Sequence, residues 1–413
     1  YRGATVGLTT YDSYVRYKKI PSTKNTNIQI LCMLAQSMYK CDQMISKVFS
    51  NKKIKKIVQS ELAFTPMQSL FQLSLLNNVE VYSRCGGGVS KNVSIRKYDN
   101  VSQKYQYKLN ISNEIFNRVY KTKKKQALNL FEQNVSHNLN KDKFGAGGTR
   151  MPDSIVKKKL IKKNEIYDYL QIEKKPIACF FLNHLIDRNF HYGPRVNFQD
   201  TLTWVNFVFN EIKKNKKVNW LIKPHPTEKY YSTKFNLISK IKKLEKEYSH
   251  IRLYPDELSN LTLIESIDLA ITSHGTVGFE YPAFGVKSMF VNKSDYSNMN
   301  FCKMVDNQME IRQKLKDINC IKKLTKTDIE KHRIFTVLRY MFIFNKCSLI
   351  PVSSIHRNIN EEKFWKDCKN SMIKFSFKKD KFYQMLKQQV KYKTRHTYNY
   401  NLINLSKIKM NDF

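Results

Sequence analysis

The sequence contains no long hydrophobic run. No stretch approaches 18 consecutive apolar residues, so no transmembrane helix is predicted. No signal peptide is visible after Tyr1, and because this residue is not Met we expect the natural chain to begin earlier. The eight cysteines are scattered without the clustering of zinc ligands, and a chain of 413 residues needs no disulfides. The sequence therefore predicts reduced thiols in a cytoplasmic protein.

Acidic residues are scarce. The chain has 34 Asp and Glu against 73 Lys and Arg, which gives a formal net charge of +39. Such a charge indicates an anionic partner: nucleic acid, an acidic membrane surface or an anionic substrate. The composition drift of an AT-rich genome produces the same profile. No recognition helix, zinc-finger spacing or aromatic RNA-binding motif is present, so nucleic acid is not expected as a partner.

Short apolar runs alternate with helical segments most regularly between residues 176 and 292. The predicted strands are Ile177–Leu182, Val218–Ile222, Ile251–Tyr254, Leu269–Thr272 and Ser288–Val291, and the predicted helices span about 198–214, 231–247, 260–267 and 276–284. Strands and helices that alternate at this spacing form βαβ units around a parallel sheet. This part of the chain therefore predicts half of a doubly wound α/β fold.

The first 150 residues show a less regular α/β pattern. The predicted elements are a helix at 26–49, strands at 54–58 and 79–82, a helix at 66–76 between them, a hairpin strand at 103–109 and helices over 111–139. A glycine-rich loop before Pro152 marks a break, and residues 153–175 are predicted to form a charged helical connector.

The first candidate site is Lys223-Pro224-His225-Pro226, which follows a predicted strand and precedes a helix. In open α/β sheets, ligands bind outside the carboxyl ends of the strands. A stiff Pro-His-Pro turn there fixes an imidazole that can donate to a phosphate oxygen, and Lys223 adds a positive charge. The alternative is a rigid turn that carries a solvent-exposed histidine.

The second candidate site runs from Ser273 through His274, Gly275, Thr276 and Gly278 to Glu280. It follows another predicted strand and opens a helix, where small residues let backbone N–H groups approach a phosphate. Glu280 lies one turn after Thr276, so both can face one ligand, and a carboxylate there can accept hydrogen bonds from a ribose diol. The alternative is close packing of helix on strand, with Glu280 as a surface charge.

Together these motifs resemble the capsule polysaccharide biosynthesis family. The resemblance rests on Lys223-Pro224-His225-Pro226, on His274-Gly275-Thr276 with Gly278 and Glu280, and on Pro282 and Gly285. Residues 11–16 and the stretch 183–200, with Asp187, Arg188, Tyr192, Gly193 and Arg195, are also similar to segments of that group. The resemblance is firm over about 176–292, loose over 1–110 and absent after about 310.

The resemblance implies a GT-B-type glycosyltransferase of surface carbohydrates, with two Rossmann-like domains that face a cleft, and the residue pattern after about 295 predicts a helical C-terminal extension. We therefore expect an acceptor domain over 1–152, a connector over 153–175, a nucleotide-sugar domain over 176–310, closing helices over 311–356 and a basic helical tail over 357–413. The tail is lysine-rich with interspersed aromatic residues. It is interpreted either as a membrane-surface segment or as solvated helices that close the fold.

The family also implies roles for single residues. His225 contacts the donor phosphate, residues Ser273–Thr276 cradle it and Glu280 holds the ribose. The His-Pro element also occurs in sialic-acid and Kdo transferases that use CMP-sugars and in polyol-phosphate transferases, so the donor stays open among CMP-, UDP- and GDP-sugars.

The catalytic base has three candidates, because an inverting transfer needs a carboxylate or histidine to take the acceptor proton. Asp12 lies in the domain expected across the cleft, and Asp187 and His184 follow the first strand of the second domain. No Asp-x-Asp motif appears, so metal-independent transfer without a cofactor is expected. Lys223 and Arg195 are then expected to stabilise the leaving phosphate.

The predicted function is sugar transfer from a nucleotide-activated donor to a polysaccharide or lipid-linked acceptor of the cell surface. The protein is expected to be cytoplasmic, with an anionic membrane surface as a further candidate partner. Two alternatives stay open: transfer of a polyol phosphate, as in teichoic-acid-type polymerases, and a non-catalytic subunit of a capsule assembly complex.

Overall fold

The computed structural model has an α/β fold built on two sheets. It describes residues 1–23, 27–50, 54–60, 62–86, 92–104, 111–136, 158–187, 190, 197–225, 228, 233, 235–349 and 361–399. The strands are β1 (Lys56–Gln59), β2 (Glu80–Gly86), β3 (Asn92–Tyr98), β4 (Ile177–Phe181), β5 (Asn219–Lys223), β6 (Ile251–Leu253), β7 (Leu269–Thr272), β8 (Lys287–Phe290) and β9 (Asn345–Lys346).

Helices make up most of the remaining regular structure. The α-helices are α1 (Val6–Lys18), α2 (Ile28–Gln43), α3 (Met67–Leu76), α4 (Asn113–Thr122), α5 (Lys124–Leu130), α6 (Ile166–Tyr169), α7 (Thr201–Lys214), α8 (Leu237–Glu247), α9 (Asn260–Ser266), α10 (Val277–Glu280), α11 (Gln308–Lys316), α12 (Lys326–Val337), α13 (Glu361–Ile373) and α14 (Lys381–Tyr392). Three π-helical turns, at 44–49, 131–136 and 338–342, extend α2, α5 and α12.

The second sheet is entirely parallel, in the order β6-β5-β4-β7-β8. Its central strands are apolar on both sides because both faces are covered. On β4, Ala178 and Phe180 pack into one hydrophobic core, while Cys179 and Phe181 pack into another on the opposite face. Numbered along this half of the chain, the strand order is 3-2-1-4-5, which is the Rossmann-like order.

The first sheet is mixed, in the order β1-β2-β3-β9. Strands β1 and β2 pair in parallel, whereas β3 pairs antiparallel with β2 and with β9. The C-terminal segment adds to this sheet: His396 forms a bridge with Arg96, and the Thr397 N–H donates to Ile95 O at 3.0 Å. Residues distant in sequence therefore complete the N-terminal sheet.

A shared hydrophobic core connects the two halves of the chain. It includes Ile115 and Phe131 from α4 and the turn after α5, and Phe279, Phe335 and Phe342 from the second half. The polypeptide thus crosses between the sheets more than once.

Most of the predicted elements are confirmed. All five strands of the second sheet lie within two residues of the predicted bounds, and the helices at 28–49, 67–76 and 113–136 also agree. The strand predicted at 103–109 is wrong where the structure describes it, because residues 101–104 form a 3-10 turn and 105–110 lie outside the described residues. In the part of the predicted connector that the structure describes, 158–175, one short helix is present, Ile166–Tyr169, and β3 was not predicted.

All eight cysteines are free thiols, and five of them are buried. In the described part of the chain, no helix combines the length and the apolar character needed to cross a bilayer.

Gly278 gives a test of the packing under α10. A Cβ atom at this position would lie 2.1 Å from the hydroxyl oxygen and 2.7 Å from Cζ of the buried Tyr296. Gly278→Ala is therefore expected to lower the free energy of unfolding by about 1–3 kcal/mol, measured by urea denaturation. Gly7→Ala is the control, because a Cβ at this exposed position of α1 meets no atom within 4 Å. It is expected to raise stability by up to about 1 kcal/mol, and equal losses in both variants would contradict the packing argument.

Candidate functional site

The candidate site lies at the carboxyl edge of the parallel sheet, around the end of β4. The strand order changes direction between β4 and β7, and an open α/β sheet binds its ligand outside such a switch point. Strand β4 lies between β5, which leads to Lys223-Pro224-His225, and β7, which leads to the loop 273–276. The two predicted corners are thus two strands apart, a separation of about 10 Å.

Asn183, just after β4, joins the middle strand to the second corner. Its Oδ1 accepts hydrogen bonds from Thr272 Oγ1 and from the Ser273 N–H, both at 3.2 Å. Thr272 Oγ1 in turn accepts the Gly275 N–H at 3.1 Å. The first half of this loop is therefore held in place by side chains of two adjacent strands.

Ser273 and Tyr296 fix the rest of the loop from below. The buried Ser273 Oγ accepts a hydrogen bond from Asn292 Nδ2 at 2.7 Å and lies 3.1 Å from His274 Nδ1. Tyr296 donates its hydroxyl to Gly275 O at 2.7 Å. In the described part of the chain, no hydrogen bond is found from the backbone N–H groups of Thr276 or Val277. These two donors begin α10 and are available to an anion.

His225 occupies the first corner. Lys223 at the end of β5 places its Nζ 4.5 Å from the centre of the Tyr254 ring, which holds the ammonium group beside the turn. The His225 ring lies 6.0 Å from the ring of His184, centre to centre. Burial lowers the pKa of His225, and the negative charge of Asp187 opposes that shift. A bound phosphate would favour the protonated imidazole further.

His184 belongs to a buried polar layer beneath His225. Its Nδ1 accepts the Ile186 N–H at 3.3 Å, which makes Nε2 the protonated nitrogen, and Nε2 lies 3.6 Å from Glu228 Oε2. Burial, and next the charge of His225, lower the pKa of His184 to about 4. Glu228 also accepts from Thr233 Oγ1 at 3.0 Å and donates its N–H to His225 O at 2.9 Å.

Glu280 is buried rather than on the surface. Tyr340 donates its hydroxyl to Glu280 Oε1. Burial raises the pKa of Glu280 to about 7, although the Tyr340 and Thr276 side chains act to lower the pKa of this carboxyl. The alternative interpretation of Glu280 as a surface charge is therefore wrong, while its contact with a ribose stays a prediction.

Helix α1 brings the N-terminal half of the chain to this edge. Asp12 is buried, and its Oδ2 accepts the Phe190 N–H at 3.0 Å. One turn later, Arg16 donates from Nη1 to Asp187 Oδ1 at 2.6 Å. The three candidate bases are thus near one another, but only Asp187 keeps a partly exposed carboxylate, with 43% of its side chain accessible.

Sequence reasoning anticipated both corners but missed several residues that hold them. Glu228 and Tyr296 were not singled out, and Asn183 and Arg16 were noted only as parts of segments similar to the family, without a role. Their roles arise from contacts between strands and helices far apart in the chain. Pro226 and Arg195 lie outside the described residues, so their predicted roles stay predictions.

Comparison of the sequence with protein-family models and with curated proteins finds no match. Comparison of the structure finds solved structures of low sequence identity. One is Thermosulfurimonas dismutans KpsC, beta Kdo 2,7 transferase, with 13% identity and a TM-score of 0.38 over 84% of this chain and 97% of that chain.

Two further structures are similar over different extents. The wall teichoic acid polymerase TagF has 13% identity and a TM-score of 0.27 over 51% of this chain and 47% of its own, so the chain spans about half of that protein. S. aureus MnaA with UDP has 11% identity and a TM-score of 0.29 over 88% and 94% of the two chains. Similarity at these TM-scores does not indicate a function for this chain.

The titration of Glu280 gives a test of the buried layer under α10. Its pKa is about 7 in the folded chain and 4.5 ordinarily, so between these values the folded state retains a proton that the unfolded state has released. The stabilisation that the protonated Glu280 carboxyl gives to the folded state is present below pH 4.5 and is lost as the pH rises through 7. The Glu280→Gln protein cannot lose this stabilisation. The free energy of unfolding of the variant relative to wild type should therefore rise by roughly 3 kcal/mol from pH 4.5 to 8 in urea denaturation.

The control for this titration is Glu265→Gln on the exposed side of α9. Its stability relative to wild type should stay constant over the same pH range. A Glu280→Gln protein with the pH profile of wild type would show that the buried carboxyl does not retain its proton.

Proposed function

We propose that the chain is a glycosyltransferase that moves a sugar from a nucleotide-activated donor to a cell-surface polysaccharide acceptor. The observation that carries the proposal is the convergence of His225 and the loop 273–276 on one sheet edge, through Asn183 and His184 at the end of β4. An imidazole, an ammonium group and unpaired backbone N–H groups on one edge form an anion site. A nucleoside phosphate suits such a site at a Rossmann-like switch point.

Asp187 is the best placed of the three candidate bases. Asp12 is buried and holds a backbone N–H, and both ring nitrogens of His184 face protein partners. Asp187 has an accessible carboxylate beside the histidines. In an inverting transfer it would take the proton of the acceptor hydroxyl while that oxygen bonds to the anomeric carbon.

The leaving group departs on the other side of the anomeric carbon. As the bond from that carbon to the phosphate oxygen breaks, its electron pair passes to the nucleotide. His225, Lys223 and the N–H groups of Thr276 and Val277 then stabilise the new negative charge. These residues need no metal ion for that role, and metal-independent transfer stays part of the proposal.

Nucleotide binding is the first expected outcome. CMP, CDP, UDP and GDP are each tested by thermal shift, and one of them at 100 times its Kd should add about 2.7 kcal/mol of stability. His225→Ala should remove most of that gain. Lys223→Met should reduce it, whereas Lys217→Met, an equal charge loss at the exposed opposite end of β5, should leave it unchanged.

Two results would contradict the proposal in different ways. If none of the four nucleotides shifts the melting temperature of the intact protein, the transferase proposal fails. If the product polymer contains phosphorus from the donor, the reaction is polyol-phosphate transfer rather than sugar transfer.

We infer that the C-terminal helices attach the protein to an anionic membrane surface. Helix α13 and the turn after it expose four large apolar side chains, Trp365, Met372, Ile373 and Phe377. Residues 361–379 also contain six lysines against three acidic residues, and all six lysines are exposed. Aromatic and aliphatic groups among lysines suit the headgroup region, where each lysine contributes about 1 kcal/mol.

This surface is tested by co-sedimentation with vesicles. The protein should bind vesicles that contain phosphatidylglycerol and bind phosphatidylcholine vesicles much less, with the difference reduced by salt. Trp365→Gln and Met372→Gln should each weaken binding several-fold. Met309→Gln, at an equally exposed methionine of α11, is the control, and an equal effect there would contradict the assignment.

A further inference from the structure

Arg16 is the cationic side chain that the N-terminal half of the chain brings to the candidate site. It lies in the last turn of α1, and its guanidinium stacks on the Phe64 ring at 4.7 Å from the ring centre. Its Nη1 donates to Asp187 Oδ1 at 2.6 Å, and 37% of its side chain is accessible. The pair therefore borders the cleft edge rather than the core.

The pair is also close to both histidines. The charge of Asp187 acts on His184 and on His225, and the charge of Arg16 acts on His184. Because Asp187 acts on His225 and is bonded to Arg16 at 2.6 Å, the ion pair borders the place where a phosphate at His225 would lie. Arginine presents a planar set of donors that suits phosphate as well as carboxylate.

Helix α1 does not depend on the ion pair for its position. Asp12 accepts the Phe190 N–H one turn earlier, and the neighbouring Tyr11 packs edge-on against the Phe190 ring at 5.6 Å. The Phe64 ring supports the stem of Arg16 independently of Asp187. The guanidinium can thus change its partner while the helix stays in place.

We propose that Arg16 binds the donor phosphate and leaves Asp187 when the donor arrives. This inference rests on the proposed function and deepens it, because both halves of the chain then contribute residues to the phosphate site. Release of the ion pair opens Asp187 Oδ1, which now accepts from Arg16 Nη1 at 2.6 Å, to the acceptor hydroxyl only after the donor is bound. Donor binding then precedes activation of the acceptor hydroxyl.

The test measures nucleotide affinity in four proteins: wild type, Arg16→Met, Asp187→Asn and the double variant. The probe is whichever of CMP, CDP, UDP and GDP gives the largest thermal shift, with its phosphate-free nucleoside as the control ligand. Arg16→Met should weaken nucleotide binding by about tenfold or more, the scale of one lost charge-assisted hydrogen bond. Asp187→Asn should bind the nucleotide at least as tightly as wild type.

The double variant separates two roles of Arg16. If Arg16 only neutralises Asp187, removing both charges restores the affinity of Asp187→Asn. If Arg16 binds phosphate, the double variant stays about tenfold weaker than Asp187→Asn for the nucleotide, and the two proteins bind the nucleoside equally. Equal nucleotide affinities of these two proteins would overturn the inference, and so would equal losses in Arg16→Met and Asp187→Asn, which mark a purely structural ion pair.

These outcomes are distinct from a failure of the proposed function. If wild type binds the nucleotide and His225→Ala does not, while Arg16 has no effect, only the inference about Arg16 fails. If wild type binds none of the four nucleotides, both fail. Melting temperatures without ligand identify any variant that does not fold, and Arg16→Lys, which keeps the charge but not the planar donor set, then replaces Arg16→Met with an expected intermediate loss.

Discussion

The candidate site depends on the parallel pairing of β4 with both of its neighbours. Because all three strands end at the same edge, the residues after them meet although they are 40 to 90 positions apart in the chain. Asn183 converts this alignment into a fixed geometry, since one amide oxygen accepts two hydrogen bonds from the neighbouring corner. Without that pairing, His225 and the loop 273–276 would be unrelated turns.

Polar groups beneath this edge are arranged as a supporting layer. His184, Glu228 and Thr233 lie under one corner, and Ser273, Asn292 and Tyr296 lie under the other. Buried polar groups of this kind are stable only when their partners are in place, so they restrict each corner to one arrangement. The proposed anion site would therefore be formed before a ligand binds, which would lower the cost of binding.

Much of the second sheet could be predicted from the sequence, whereas in the first sheet only the parallel strands β1 and β2 could be predicted. Parallel strands covered on both faces appear as continuous apolar runs such as Ile177–Phe181, which are easy to recognise. Strand β3 carries buried Ser94 and Arg96, and α1 buries Thr9, Thr10 and Asp12, so neither shows a clear apolar period. The two corners followed from their place after strands. The roles of Asn183, Glu228 and Arg16 could not be predicted, because they depend on contacts between neighbouring strand ends and between the two halves of the chain.

The bridge between His396 and Arg96 has a consequence for synthesis of the chain. Among the described residues, the outer partners of strand β3 are β9 and the segment 395–397, so the N-terminal sheet stays incomplete until residue 397 has left the ribosome. During translation the edge of β3 exposes unpaired backbone groups, the kind of edge that other chains can join. The N-terminal sheet therefore cannot be completed before the C-terminal segment has been translated.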